Sequence, residues 1–244
     1  MSSNPVTMEQ SSPVLISVLV PSRGRAVSCF QMAASLFGTA DDPSQVELLI
    51  YIDDDDPQKE HYMSLLEASN SAELHAIEIN CGPSEGVGVA WNYLAGECTG
   101  QLLMMGNDDL RWETQGWDTA IAEAYRAADS ELFVMHCNDT IQHARHAAFP
   151  IISRSWYEIA GQFVPEIFGF GYHDTWLTQI AEILDCFIYL EHVVIRHKHY
   201  SQAGGIRDQT SQRNMHHWHR DEQIFNTHRP TREAIAVNLK AALG

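Results

Sequence analysis

The 244 residues carry 15 basic and 32 acidic side chains, a formal net charge of −17, with 45% apolar content. That apolar share buries a sizeable core in one large domain or two small ones, while the acidic balance repels polyanions and argues against a general nucleic-acid or anionic-membrane binder, although it leaves room for a local basic pocket. No run of 18 apolar residues occurs, residues 1–13 (MSSNPVTMEQSSP) have no basic flank or apolar signal core, and the five scattered cysteines form no CxxC pair, so the expectation is a cytoplasmic protein with free thiols, neither exported nor membrane-spanning.

Residues 1–12 read as a disordered tail and 13–244 as a single domain. Short β-branched runs at 14–20 (VLISVLV), 46–52 (VELLIYI), 74–79 (LHAIEI), 101–105 (QLLMM) and 131–136 (ELFVMH) are candidate strands, too continuously apolar to face water on one side. Helical stretches lie near 26–37, 58–69, 86–97 and 114–128. The last is opened by Thr114 and Gln115, with Trp117, Ile121 and Ala124 at three- and four-residue spacing. This alternation predicts an α/β fold with a mostly parallel sheet covered by helices on both faces, in which ligands bind outside the carboxyl ends of the strands.

Those ends carry polar groups. After strand one, PSRGRA places a turn at Pro21 and Gly24, with Ser22, Arg23 and Arg25 offering a hydroxyl and two planar cations suited to phosphate or a base edge. Strand two ends at DDDDP, residues 53–57. Strand three is followed by small residues and Ser84 before a helix whose N-terminal amides suit an anion, and strand four runs into Asn107-Asp108-Asp109. Any one of these loops alone is as well explained by turn and cap chemistry.

In order and spacing, ISVLVPSRGR, LLIYIDDDDP, GPSEGVGVAWNYLAGECTGQLLMMGNDDL and GQFVPEIFGFGYHDTWLTQIAE resemble the GT-A glycosyltransferases, in particular the inverting family 2 type, over about residues 14–184. The third block is the most specific, with its glycine-containing loop, Ala90-Trp91-Asn92 helix, Thr99-Gly100 turn and apolar strand before the acidic motif. The resemblance implies a nucleotide-binding half (14–110), an acceptor-binding half (111–200), and a flexible loop with C-terminal helices (201–244). It also implies that Asp53 contacts the nucleobase and that Pro21, Ser22 and Arg23 frame the nucleoside. Asn107-Asp108-Asp109 matches the DxD motif with its first acid replaced by Asn, which leaves Asp109 as the direct metal ligand and Asp108 as the second. In FGFGYHDTWL, Asp174 takes the position of the general base, with His173 where Glu is usual. The implied cofactors are Mn²⁺ or Mg²⁺ and a nucleoside-diphosphate sugar, UDP-sugar favoured. A cation held by carboxylates offsets the charge that grows on a departing diphosphate.

Asp174 equally suits the cap of a helix over 175–184. His197 and His199, two apart in VVIRHKHY, share a face of a strand, a spacing that lets one complete a metal site. His216, His217 and His219 read as a solvated helix face with Trp218 packed inward. Residues 201–214 read as a lid loop with Arg207 or Arg213 reaching a phosphate, and 231–244 as a terminal helix packing on Ile235, Leu239 and Leu243. Phe168, Phe170, Tyr172 and Trp176 are either a stacking platform or core.

The expected function is metal-dependent transfer of a sugar to an acceptor hydroxyl, with inversion. The acceptor is open among small molecule, glycan, protein and modified nucleic-acid base. A sugar-1-phosphate nucleotidyltransferase and a non-catalytic nucleotide- or glycan-binding module are the rival readings.

Overall fold

The computed structural model describes residues 15–70, 77–199 and 216–242. The chain runs β1 (Ile16–Ser22), α1 (Ala26–Gly38), β2 (Val46–Asp53), α2 (Lys59–Asn70), β3 (Ile77–Gly82), α3 (Val87–Glu97), β4 (Leu102–Met105), β5 (Leu110–Trp112), α4 (Trp117–Ala127), β6 (Val134–Asn138), β7 (Ile151–Ser153), α5 (Arg154–Ala160), α6 (His173–Leu184), β8 (Phe187–His197), α7 (Trp218–Thr227) and α8 (Arg229–Ala242). The strands lie in the order β3-β2-β1-β4-β7-β6-β8-β5. The β3-β2-β1-β4 half is parallel throughout; β7 enters antiparallel to β4 and β6, β8 lies parallel to β6, and β5 closes antiparallel to β8.

Two apolar layers follow from the period-two alternation of strands buried on both sides. Ile16, Val18, Val20, Leu48, Ile50 and Met104 face one layer with Met32 and Leu36 of α1, whereas Leu19, Leu49, Leu103 and Met105 face the other with Trp91 and Leu94 of α3 and Trp176 of α6. The predicted α/β sandwich is therefore the observed one.

Several boundaries differ from expectation for local reasons. Pro21 and Ser22 belong to β1 and pair with Tyr51 and Ile52 of β2, so the turn begins at Arg23 and uses Gly24 at φ 67°. Pairing of β1 with β4 stops at Leu19 opposite Met105, so the missing N–H of Pro21 falls where β1 has a strand neighbour on one side only. Thr114 does not open α4; its hydroxyl accepts the amide of Val194 at 2.8 Å and fastens the chain to β8, and left-handed Gly116 precedes the helix instead. Strand three spans Ile77–Gly82; residues 74–76 of its predicted range lie outside the described residues. The three-residue strands β5 and β7 have no counterpart among the predicted elements.

Of the expected stripe on the C-terminal helix, Leu239 is buried and Ile235 partly buried, while Leu243 lies outside the described residues; Ala236, not among the expected residues, is buried beside them. The tail 1–12 and the lid loop 201–214 with Arg207 and Arg213 also lie outside them. Among the described residues no helix is long and apolar enough to cross a membrane.

Candidate functional site

The carboxyl ends of β1, β2 and β4 bring the predicted loops together. Gly106 makes this approach possible: its amide donates to the Leu19 carbonyl at 2.9 Å, and a Cβ there would stand 2.7 Å from Val20 Cγ2. The chain thus crosses β1 closely and delivers Asn107-Asp108-Asp109 beside Ser22 and Arg25.

Asp108 is buried, and both its oxygens are engaged. Ser22 Oγ donates to Oδ2 at 2.7 Å and Arg25 Nη1 to Oδ1 at 3.0 Å. Ser22 also meets the Tyr62 hydroxyl at 2.6 Å, and Ser28 Oγ donates to the Asp108 carbonyl at 2.9 Å. Burial pushes the Asp108 carboxyl up to about 6, against the lowering effect of Arg25. Asn107 opens the turn, its carbonyl accepting the Leu110 amide at 3.4 Å.

Asp109 differs. Its Oδ1 is buried and has no hydrogen bond of good geometry, with His197 Nε2 3.4 Å away and Arg25 Nη1 3.9 Å from Oδ2. Burial alone would raise this carboxyl; His197 and Arg25 hold it below the usual carboxylate range. The His199 ring lies 5.0 Å from that of His197. An orphaned carboxylate oxygen facing an imidazole nitrogen fits a divalent cation whose remaining ligands come from phosphate and water. Among the described residues no group of three His, Cys, Asp or Glu side chains forms a ligand set by itself.

On the other side of β1, Arg23 binds Asp53 Oδ2 at 2.6 Å and also pairs with Asp55, while Ser84 Oγ reaches the same Asp53 oxygen at 2.8 Å. Asp56, buried, accepts the Gly24 amide at 2.8 Å and the Gln58 amide at 2.7 Å, which fixes the turn carrying both arginines. Tyr62 and Asp56 were not among the predicted site residues.

Asp174 stands at the second position of α6, whose first turn begins at His173 rather than residue 175. Its Oδ2 meets His146 Nε2 at 2.8 Å, and its Oδ1 accepts the Thr175 amide at 2.7 Å. His173 is fully buried, and burial pushes its imidazole down to about 4. The preceding loop is held by Asp221 of α7, which accepts the amides of Gly169, Phe170 and Gly171 at 2.9, 2.8 and 3.0 Å. Asn92 ties α3 to the start of the same segment: its Oδ1 accepts the Phe163 and Val164 amides and its Nδ2 donates to the Val164 carbonyl. The Ala-x-Asn element is therefore a bracket between α3 and the segment that leads into α6.

Of the aromatic residues, Phe168 and Trp176 are core, Phe170 is 38% exposed, and Tyr172 sits between them in a left-handed conformation, φ 69°. Trp218 does not pack inward as expected: it is 51% exposed and lies over Tyr172, ring centroids 5.2 Å apart.

No protein-family model matches the chain, and no curated protein sequence matches it. Solved structures do. The chain superposes on the mannosyltransferase PcManGT from Pyrobaculum calidifontis, in complex with GDP-Man and Mn²⁺, with a TM-score of 0.62 at 14% identity, covering 77% of this chain and 59% of that one. It superposes on S. aureus TarS 1–349 in complex with UDP at TM-score 0.59 and 13% identity (75% and 60% covered) and in complex with UDP-GlcNAc at 0.58 and 13% (75% and 58%). The fold is therefore GT-A-like, that of glycosyltransferases, and the chain spans about three-fifths of the length of these solved chains, and 36% of the longer solved chain of TarS.

Proposed function

We propose that the chain is a divalent-metal-dependent glycosyltransferase that moves a sugar from a nucleoside-diphosphate sugar to an acceptor hydroxyl with inversion. The observation that carries this reading is the buried Oδ1 of Asp109, which has no hydrogen bond of good geometry and faces His197 Nε2 at 3.4 Å, at the carboxyl ends of the parallel strands. The nucleotide-sugar and Mn²⁺ complexes of the structural neighbours support it.

Asp109, with His197 or His199, holds Mn²⁺ or Mg²⁺. When bound, the ion supplies positive charge to a leaving diphosphate. Asp108, with both oxygens occupied, positions its neighbours instead, holding Arg25 beside the diphosphate and Ser22 beside the nucleoside, next to Pro21. Asn107 presents a neutral amide to the ribose.

Arg23 and Ser84 fix Asp53 through Oδ2, which leaves Oδ1 to accept an N–H from the base. Uracil N3 and guanine N1 present such a proton on the ring, and the exocyclic amines of cytosine and adenine present one as well; it is the UDP, UDP-GlcNAc and GDP-Man complexes of the structural neighbours that support a UDP- or GDP-sugar, UDP favoured. Asp174 belongs to the group that accepts the acceptor's proton. The five free thiols fit a cytoplasmic enzyme.

A thermal-shift panel of UDP, GDP, CDP and ADP, with and without Mn²⁺, tests the reading on wild type and Asp109→Asn. A nucleotide at a hundred times its Kd stabilises by about 2.7 kcal/mol, a rise of roughly 5–10 °C for a domain of this size. The expected result is a rise with UDP or GDP that needs Mn²⁺ and disappears in the variant. No rise with any nucleotide overturns the reading. Pyrophosphate release from a nucleoside triphosphate and a sugar-1-phosphate would replace it with nucleotidyl transfer.

A further inference from the structure

We propose that His146 is the base that takes the proton from the acceptor hydroxyl, and that Asp174 is the positioning residue that orients its ring. This inference rests on the glycosyltransferase reading above and changes which atom receives the proton.

Asp174 has no oxygen left without a donor. Oδ2 is bonded to His146 Nε2 at 2.8 Å, and Oδ1 accepts from the Thr175 amide at 2.7 Å and the Thr175 hydroxyl at 3.3 Å. Burial pushes this carboxyl up, but His146 and the Thr175 amide outweigh it and hold the group below the usual carboxylate range. A carboxylate stabilised in this way is a weak base.

His146 has the complementary character. With Nε2 committed to Asp174, the neutral ring carries its proton there and leaves Nδ1 as a bare lone pair. No hydrogen bond to Nδ1 is made by any of the described residues, and the side chain keeps 20% of its surface exposed. Burial lowers its basicity, but the hydrogen bond and charge of Asp174 raise it above the ordinary histidine value, helped by Asp139 and Glu182. Base, orienting acid and an open nitrogen thus stand in the arrangement that activates hydroxyl nucleophiles elsewhere.

The turn that carries His146 also reaches the proposed cation site. Asp139 organises it by accepting the amides of Ile141, Gln142 and His143 on Oδ1 at 3.0, 2.7 and 3.1 Å. The Asp139 carbonyl accepts the His197 amide at 3.2 Å, and the Phe149 ring packs edge-on against the His197 ring at 4.9 Å. One segment therefore touches Asp174 on one side and His197 on the other. In the reaction the acceptor O–H proton passes to Nδ1 and the oxygen bonds the anomeric carbon. The bond from that carbon to the diphosphate breaks, and the nucleoside diphosphate leaves with the electron pair. The imidazolium formed is paired with Asp174.

The charged and titratable groups around His146 are Asp174 and Glu182 of α6, Asp139 of the turn, and His136 of β6. Two measurements on the full chain test the assignment. Nitrogen-15 NMR of the imidazoles reads the ring without substrate: the neutral form should carry its proton on Nε2 and titrate above 6.5, and Asp174→Asn should lower that titration. A neutral His146 protonated on Nδ1, or one titrating at or below 6.5, overturns the proposal whatever the donor assays give.

The second measurement is nucleoside-diphosphate release from UDP-GlcNAc and GDP-mannose with Mn²⁺, water serving as acceptor. His146→Gln and Asp174→Asn should each lose about a hundredfold or more in kcat while keeping the nucleotide-and-metal thermal shift. The wild-type rate should rise with pH through the His146 titration. A His146→Gln enzyme of undiminished rate beside a dead Asp174→Asn returns the base to Asp174. Loss of the thermal shift in wild type strikes the parent reading instead.

Discussion

Ser22 Oγ donates to Asp108 Oδ2 at 2.7 Å across 86 residues of sequence, and the same hydroxyl meets Tyr62 at 2.6 Å. The end of β1, the start of α2 and the acidic turn after β4 are thereby one polar cluster. Such a cluster holds only while every donor has its acceptor.

Asp108→Ala removes that acceptor from both Ser22 and Arg25. It deprives a largely buried guanidinium of its nearer carboxylate, a change of the kind that costs roughly 3–5 kcal/mol for a buried ion pair. Arg25 retains 20% exposure, so about 2–4 kcal/mol is expected by urea unfolding. Asp108→Asn keeps an acceptor oxygen for one of the two donors and should lose about half as much. A loss under about 0.5 kcal/mol in the alanine variant, the size of an ordinary surface substitution, would mean that the cluster is not held by Asp108.

Gly106→Ala should act on the same turn through sterics. The new Cβ meets Val20 Cγ2 at 2.7 Å, Val18 Cγ1 at 3.0 Å and the Leu19 carbonyl at 3.2 Å. Overpacking of this sort costs about 1–3 kcal/mol. Val20→Ala removes the nearest of these atoms, so the double variant should be more stable than the sum of the two single losses. Strict additivity would place the strain elsewhere.

Much of the parallel half was legible because β1, β2 and β4 are apolar on both faces, a pattern that permits few alternatives; β3, expected to be buried on both sides as well, is instead the edge strand and leaves Glu78 and Cys81 exposed. The polar ends of those strands announced Ser22, Arg25, Asp53 and Asp108 for the same reason: after a buried strand the chain must surface. His146 carried no such mark. It lies 28 residues before Asp174 in an aperiodic stretch, QHARHAAF, and only the return of β7 along β4 brings the two together. Asp221 sits within HHWHRDE, whose polarity reads as a solvated helix face, although its carboxylate is fully buried under three amides. The strands β5 and β7 are three residues each, too short for a period of two to register.

Asp221→Ala should release the loop from Gly169 to Gly171, since three amides lose their acceptor. Each orphaned donor costs about 1 kcal/mol or more, so the expected destabilisation is roughly 2–4 kcal/mol. Asp221→Asn keeps one acceptor oxygen and should fall between. If the loop presents the acceptor next to Asp174, both variants raise the acceptor KM more than they change nucleotide affinity. Equal losses in the two would mean that the loop serves the whole fold.

His136 provides a pH test independent of catalysis. It is buried between Phe187 and Tyr189, ring centroids 4.7 Å from each, with Nε2 unpartnered, and burial pushes its imidazole down to about 4. In the unfolded chain the same ring titrates near 6.5. Between those values the unfolded state binds a proton that the folded state does not, so stability rises with pH across the window. Seen from the other direction, the contribution is intact above about 6.5 and is lost as pH falls toward about 4. At pH 5 the loss from this one ring is about 2 kcal/mol. The buried His173, also pushed down to about 4, acts with the same sign. His146, whose imidazole is raised, acts with the opposite sign: its contribution is full below about 6.5 and fades at higher pH. His136→Phe keeps an aromatic ring between Phe187 and Tyr189 and removes the titration. Urea unfolding at about pH 7.5 and pH 5 should therefore show a smaller acid-induced loss in the variant than in wild type, by about 2 kcal/mol, regardless of which is more stable at the higher pH. An unchanged difference between the two pH values would mean that the folded ring accepts its proton near the ordinary value, with water reaching Nε2.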